Sequence, residues 1–133
     1  MNEENEITED IKQARINQST DKLLKEIKRE TDWFTDEMDI YKVAVAVALA
    51  KDFKPSKPKR GIEGGAQWRV VLLDPDQKLK RIIELMAPDC GQTPYRYSEA
   101  LAMAGISYLH NELVTRARSI GDALHIQEIG GDS

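Results

Sequence analysis

Three residues able to pair with nucleobase edges alternate near the start of the chain: Gln13, Arg15 and Asn17. Gln and Asn can make paired hydrogen bonds to adenine, Arg can do so to guanine, and a two-stranded β-ribbon is narrow enough to enter the DNA major groove. The stretch from Lys12 to Asn17 reads as a short strand, with Lys12, Ala14 and Ile16 on one side and the three polar residues on the other. Ala14 and Ile16 would then bury against the helices that follow, and a second chain would have to complete the ribbon. An ordinary polar segment before a helix accounts for these residues equally well. A second cluster, Lys54, Lys57, Lys59 and Arg60, falls in a stretch broken by Pro55, Pro58, Gly61, Gly64 and Gly65. That composition reads as an exposed basic loop able to touch phosphates.

Other chemistry lacks its residues. The single cysteine, Cys90, has only loop neighbours and no nucleophile-elbow motif beside it, so it reads as a passive thiol. His110 and His125 fall in different elements, which disfavours a zinc site. The glycines at 61, 64 and 65 lack the Lys-Ser or Lys-Thr ending of a phosphate-binding loop and read as turn residues. Asp36, Glu37 and Asp39 could hold a cation, but carboxylates also favour the first turn of a helix through its dipole. Neither a metal, a cofactor nor an enzymatic activity is expected.

With 133 residues, 41% apolar and 32% charged, the chain fits one domain with one core. It contains no apolar run of membrane-spanning length and no N-terminal apolar leader, so a cytoplasmic, membrane-free protein is expected. The net charge of −4 is unevenly spread. Residues 1–11 hold five acids and no base, residues 12–60 twelve bases against eight acids, and residues 61–133 seven bases against ten acids. A cationic face on an acidic protein is thus permitted, as are ordinary solvated helix surfaces.

The elements that would position these groups follow from periodicity and caps. Residues 1–11 read as a disordered acidic arm, 12–124 as a single helical domain and 125–133 as a flexible tail. After the strand, Ser19, Thr20 or Asp21 would cap a helix with Leu23, Leu24, Ile27 and Thr31 on one face, ending near Asp32. Thr35 or Asp36 would cap a second helix running to about Asp52. Its Val43 to Ala50 segment is apolar all round, implying burial on every side or an oligomer interface through Val43, Val47 and Ala50; a buried strand is the competing assignment. Gln67 to Leu73 reads as strand or extended. Asp74, Pro75 and Gln77 suit the start of a third helix with Leu79, Ile82, Ile83 and Met86 facing the core. A fourth, long helix is expected from Tyr97 or Ser98 to Ser119, with Leu101, Gly105, Tyr108, Leu109, Leu113, Ala117 and Ile120 as its stripe and Gly121 as its stop. The fold class is mainly α: a short N-terminal strand followed by about four helices.

The order strand, helix, helix over residues 12–52 resembles the ribbon-helix-helix fold of small repressors and antitoxins. In that fold the start of the second helix approaches a phosphate, and Asp36, Glu37 and Asp39 would set negative charge there, which shifts the expected DNA contacts toward Lys54, Lys57, Lys59 and Arg60. A wider stretch, 12 to about 124, is similar in order and texture to DndE, the small subunit of bacterial DNA phosphorothioation systems. The similarity rests on Lys28-Arg29-Glu30-Thr31, the apolar second helix, the Pro-rich loop, the Gly-rich stretch before Trp68-Arg69-Val70-Val71-Leu72-Leu73, and Arg118-Ser119-Ile120-Gly121-Asp122. Ala102 and Ala104 stand before Gly105 where that family carries a His and an Arg. The resemblance implies an oligomeric, non-enzymatic accessory subunit that works with larger protein partners in DNA modification or phage defence and contacts the DNA backbone. A protein-interaction module that never touches DNA, and a repressor or antitoxin reading DNA through Gln13, Arg15 and Asn17, are the alternatives.

Overall fold

The computed structural model describes residues 9–56, 62–117 and 119–123. Strand β1 (Gln13–Arg15) leads into helix α1 (Gln18–Glu30), followed by α2 (Glu37–Ala50), β2 (Gln67–Arg69), α3 (Val70–Leu73), α4 (Lys78–Met86), α5 (Pro94–Leu109), a π-helical segment (His110–Thr115) and α6 (Ile120–Ala123). The chain is mainly helical and opens on a short strand, as the sequence pattern leads one to expect; among the described residues that strand belongs to a two-stranded antiparallel sheet. Among the described residues no helix is long and apolar enough to cross a membrane.

Helix α2 is the centre of the core. Asp36 caps it through a reciprocal pair with Asp39, whose N–H donates to Asp36 Oδ1 at 3.0 Å, so these acids serve the helix start as their position suggested. The helix ends at Ala50 in a Schellman-type closure: Phe53 N–H donates to the Ala48 carbonyl at 2.8 Å and Asp52 N–H to the Leu49 carbonyl at 3.1 Å, with Asp52 in the left-handed region at φ 62°. Ile40, Tyr41, Ala44, Val45, Val47, Ala48 and Leu49 are all buried, so the chain itself covers most of this helix's apolar surface. The principal cover is α5, and the two helices meet where a Cβ on Gly105 would lie 2.1 Å from the Ala44 carbonyl oxygen. Only glycine allows that approach.

Two boundaries in the middle of the chain differ from the sequence expectation for physical reasons. The extended stretch from Gln67 stops at Arg69, since β1 offers partners only that far; the chain then turns through α3, which buries Leu73 and leaves Val71 and Leu72 exposed. Asp74 does cap the next helix, but from a distance. Its carboxylate accepts from Leu79 N–H at 3.0 Å and Lys80 N–H at 3.1 Å and from the Tyr95 hydroxyl at 2.7 Å, so α4 starts at Lys78 instead of Pro75. Leu79 and Ile83 face the core, whereas Ile82 and Met86, expected beside them, are exposed.

The long final helix begins earlier and ends earlier than expected. Asp10 supplies its N-terminal cap, accepting from Tyr95 N–H at 2.8 Å, Arg96 N–H at 3.2 Å and the Thr93 hydroxyl at 2.7 Å, so Asp10 and Ile11 belong to the fold and not to an arm. At its other end the helix passes into the π-helical segment, where His110 Nε2 lies 2.5 Å from Glu26 Oε1 of α1 and Arg116 donates to buried Glu112 at 3.2 Å. Ala117, expected in the core stripe, is exposed and sits at φ 54°, which breaks the helix before Gly121. The proposed tail at 125–133, and His125 within it, lie outside the described residues.

The α2–α5 crossing predicts that Gly105→Ala, by forcing the two backbones apart, lowers the unfolding free energy by about 3 kcal/mol. Urea denaturation measures this directly. A change under about 0.5 kcal/mol, the range of an ordinary surface substitution, would show that the crossing yields freely.

Candidate nucleic-acid interface

The polar ribbon forms, and it forms within one chain. β1 pairs antiparallel with β2 in the register Gln13 with Arg69, Ala14 with Trp68 and Arg15 with Gln67. Ile16 N–H donates to the Ala66 carbonyl at 3.1 Å and Val70 N–H to the Lys12 carbonyl at 2.9 Å, closing the ladder at both ends. The expectation that the ribbon needs a second chain is thereby corrected, because the partner strand comes from 67–69. Gly64 and Gly65 make this possible. Gly64 adopts φ +77°, and a Cβ on Gly65 would lie 1.9 Å from the Ile16 carbonyl oxygen, so only glycines bring β2 alongside β1.

Because side chains alternate along a strand, the ribbon has two chemically distinct faces. Ala14 is fully buried and Trp68 packs its ring edge on Tyr41 of α2, with centroids 5.4 Å apart at 64°. The Tyr41 hydroxyl lies 2.6 Å from Ser98 Oγ of α5, and burial pushes that phenol far up from its ordinary value. The ribbon is thus bolted to both central helices through one aromatic pair. On its other face Gln13, Arg15, Gln67 and Arg69 are all exposed.

Asn17, expected on that same face, is not there. The strand ends at Arg15 and the Asn17 side chain caps α1, accepting from Thr20 N–H at 2.9 Å and the Ser19 hydroxyl at 3.1 Å. It displaces Ser19, Thr20 and Asp21 as the capping residue. Lys12, assigned to the inward side, lies outside the strand and is exposed.

Beside the ribbon runs a groove of about 410 Å³, lined by Ile11, Lys12, Gln13, Arg15, Ile62, Arg96 and Glu99. Glu99, in α5, is buried, and its Oε2 accepts from Arg15 N–H at 2.9 Å, covering the open edge of β1 with a side chain. Burial raises the Glu99 carboxyl above its ordinary value, against the opposing effects of the Arg15 N–H and of the Arg96 and Arg15 guanidiniums. None of Lys12, Arg15, Arg69 and Arg96 forms an ion pair within 4.0 Å among the described residues, whereas Lys25, Arg29, Lys54, Lys78 and Arg116 do. Lys22, Lys28, Lys42, Lys80 and Arg81 on the helices are likewise without an ion pair among the described residues, so what sets Lys12, Arg15, Arg69 and Arg96 apart is their grouping around one ribbon and its groove.

The other sequence candidates fare differently. Lys54 is exposed and held by Asp52 at 2.8 Å; Lys57, Lys59 and Arg60 lie outside the described residues. Of the expected oligomer contacts, Val47 is buried inside the chain, Val43 is half-buried and Ala50 is exposed, the three lining a shallow apolar strip with Ala46 and Lys51. Cys90 Sγ donates to the Gln92 carbonyl at 3.3 Å. No group of three or more His, Cys, Asp or Glu side chains suited to a metal occurs among the described residues. The sequence reading missed Gln67, Arg69, Arg96 and Glu99 as site residues; the polar, apolar, polar order of Gln67-Trp68-Arg69, matching Gln13-Ala14-Arg15, was the available signal. No family model, curated protein or solved structure matches the chain.

The Glu99 shift gives a pH prediction. A carboxyl whose folded value is raised stabilises the fold fully below its unfolded value, here near 4.5, and loses that contribution as pH rises through the folded value. Gln at 99 keeps an acceptor for Arg15 N–H but does not ionise. Relative to Glu99→Gln, the unsubstituted protein should lose stability as pH rises from 4 to neutrality, which denaturant titrations at a series of pH values will read; parallel profiles would contradict it.

Proposed function

We propose that this chain is a non-enzymatic, DNA-associated accessory subunit that meets DNA through the exposed face of its β1–β2 ribbon. The observation that carries the reading is the assembly, within one chain, of Gln13, Arg15, Gln67 and Arg69 on one face with Lys12 and Arg96 at its border. Arg and Lys neutralise phosphates and release their counterions; Gln and Arg are able to meet base edges. An overall charge of −4 disfavours indiscriminate attraction, so a localised cationic face is the form that DNA contact would take. Lys54, Lys57, Lys59 and Arg60 are a second candidate set for backbone contact. The resemblance to DndE favours a place within a bacterial DNA-modification or antiphage complex alongside larger subunits, in the cytoplasm.

A second reading, a protein-interaction module without DNA contact, is favoured by one specific observation. Val71 and Leu72 of α3 and Ile82, Leu85 and Met86 of α4 are exposed, Leu85 to 79%. Exposed apolar side chains in such number suit a protein partner. Self-association through the outer strip of α2 is a further element of the proposal, and a monomer at high micromolar concentration in sedimentation equilibrium would remove it.

Fluorescence anisotropy with a labelled duplex tests the main reading. Binding should be measurable at low salt and fall steeply as salt rises. The double substitution Arg15→Gln, Arg69→Gln should weaken it and flatten the plot of log K against log salt by about 0.9 for each phosphate that is no longer neutralised. Replacing Lys54, Lys57, Lys59 and Arg60 by Gln measures the loop separately. No binding at low salt, or binding indifferent to the ribbon substitutions, would overturn the ribbon as the DNA-binding face.

A further inference from the structure

The groove between β1 and α5 has a chemical polarity that a simple phosphate-binding surface does not need. Three cations, Lys12, Arg15 and Arg96, line it together with the apolar side chains Ile11 and Ile62, the Gln13 amide and a single carboxylate, Glu99. The carboxylate is nine-tenths buried, and the fold holds it there by the Arg15 N–H bond at 2.9 Å. A buried acid beside a cationic rim weakens attraction for a bare phosphate at that spot. It suits instead a ligand carrying an anionic end and a hydrogen-bond donor on a flat, weakly polar body. A nucleotide unit has those three parts.

We propose that this groove accepts one unpaired nucleotide of a DNA strand, with Lys12, Arg15 and Arg96 toward its phosphate, Ile11 and Ile62 along its base, and Glu99 accepting a hydrogen bond from an exocyclic amino group. The inference rests on the DNA-contact reading above and sharpens it to a substrate class: DNA with at least one base out of the duplex. Several features support it. About 410 Å³ is within the range of small-molecule binding sites, room for one nucleotide with water but not for a duplex. A paired cytosine still offers one amino hydrogen in the major groove, but Glu99 is buried in the wall of a groove too small for a duplex, so a base must leave the stack to bring its amino group there. A carboxylate accepts from the cytosine amino group and has nothing to accept from the carbonyl at the same position of thymine. Asp10, which faces the same N-terminal turn of α5, is already engaged as its cap, which leaves Glu99 as the carboxylate lining the groove.

The test compares three labelled probes at one low salt concentration: a dC15 strand, a dT15 strand and a fully paired duplex. These two strands match in length and charge and differ at the base edge. The proposal expects dC15 to bind about tenfold more tightly than dT15, the ratio one charge-assisted hydrogen bond supplies, and more tightly than the duplex. Glu99→Gln, whose amide can donate as well as accept, should bring the dC15 to dT15 ratio below about twofold while leaving the salt dependence unchanged. Arg96→Gln should weaken both strands together and keep their ratio. A folded Glu99→Gln protein, shown by its circular dichroism spectrum and urea midpoint, is required for the comparison; Glu99→Asp, which keeps the carboxylate one methylene shorter, provides a second variant whose ratio should stay above that of the Gln form. Equal binding of dC15 and dT15, a ratio unaltered by Glu99→Gln, or tighter binding to the duplex would overturn the nucleotide groove while the DNA-contact reading stands. Absence of binding to all three probes would overturn both.

Discussion

Where α2 crosses α5, the Ala44 carbonyl and Gly105 come so close that no side chain of any size fits between them. The rest of the molecule is arranged around that contact. Close approach of two helix backbones lets the residues on either side reach across: Tyr41 bonds to Ser98, and the small residues Ala48 and Ala102 bury fully. A helix as apolar as α2 has no amphipathic stripe to orient it, so its direction is set by which neighbour can approach most closely. Glycine at one position of α5 fixes that choice.

From the crossing, order passes outward to the ribbon along two routes. One is aromatic, with Tyr41 carrying the edge of Trp68 and so setting the tilt of β2. The other is polar and binds the N-terminal segment to the first turns of α5, through Asp10 at the helix N-terminus and Glu99 at the Arg15 N–H. An isolated two-stranded ribbon is marginal in water. Here three residues on each strand suffice because one face is packed, one edge is covered by a carboxylate and both ends are closed by backbone hydrogen bonds. The outward face is thereby held rigid without a second chain, and rigid presentation of polar groups is what recognition requires.

Charge follows the same logic. Several cations of the helices have a carboxylate near at hand, as Lys25 has Asp21 and Glu37, and such pairs leave little net field. Beside β1, two acids are engaged by backbone N–H groups: Asp10 at the start of α5 and Glu99 at β1. These acids are held by backbone N–H groups and form no ion pair within 4.0 Å with Lys12, Arg15 or Arg96 among the described residues, although the Arg15 and Arg96 guanidiniums still act on Glu99.

Much of this was readable from sequence because local rules suffice for it. Alternation at Gln13, Ala14, Arg15 and Ile16 pointed to a strand with its apolar side inward; Thr35 and Asp36 marked a helix start; the run from Val43 to Ala50 implied burial, as helix or as strand; and Gly64-Gly65 marked a turn. What the sequence could not determine were the partners, since these are contacts between residues far apart in the chain. That β1 pairs with 67–69, that Asp10 caps a helix beginning at Pro94 and that Asp74 reaches forward to Leu79 and Lys80 depend on how the helices pack. The same holds for Asn17, which the alternation would leave on the exposed polar face but which α1 takes as its cap. Periodicity specifies which side of an element is apolar; only the close packing of α2 on α5 decides what lies opposite, and that decision brought Gln13, Arg15, Gln67, Arg69, Arg96 and Glu99 to one place.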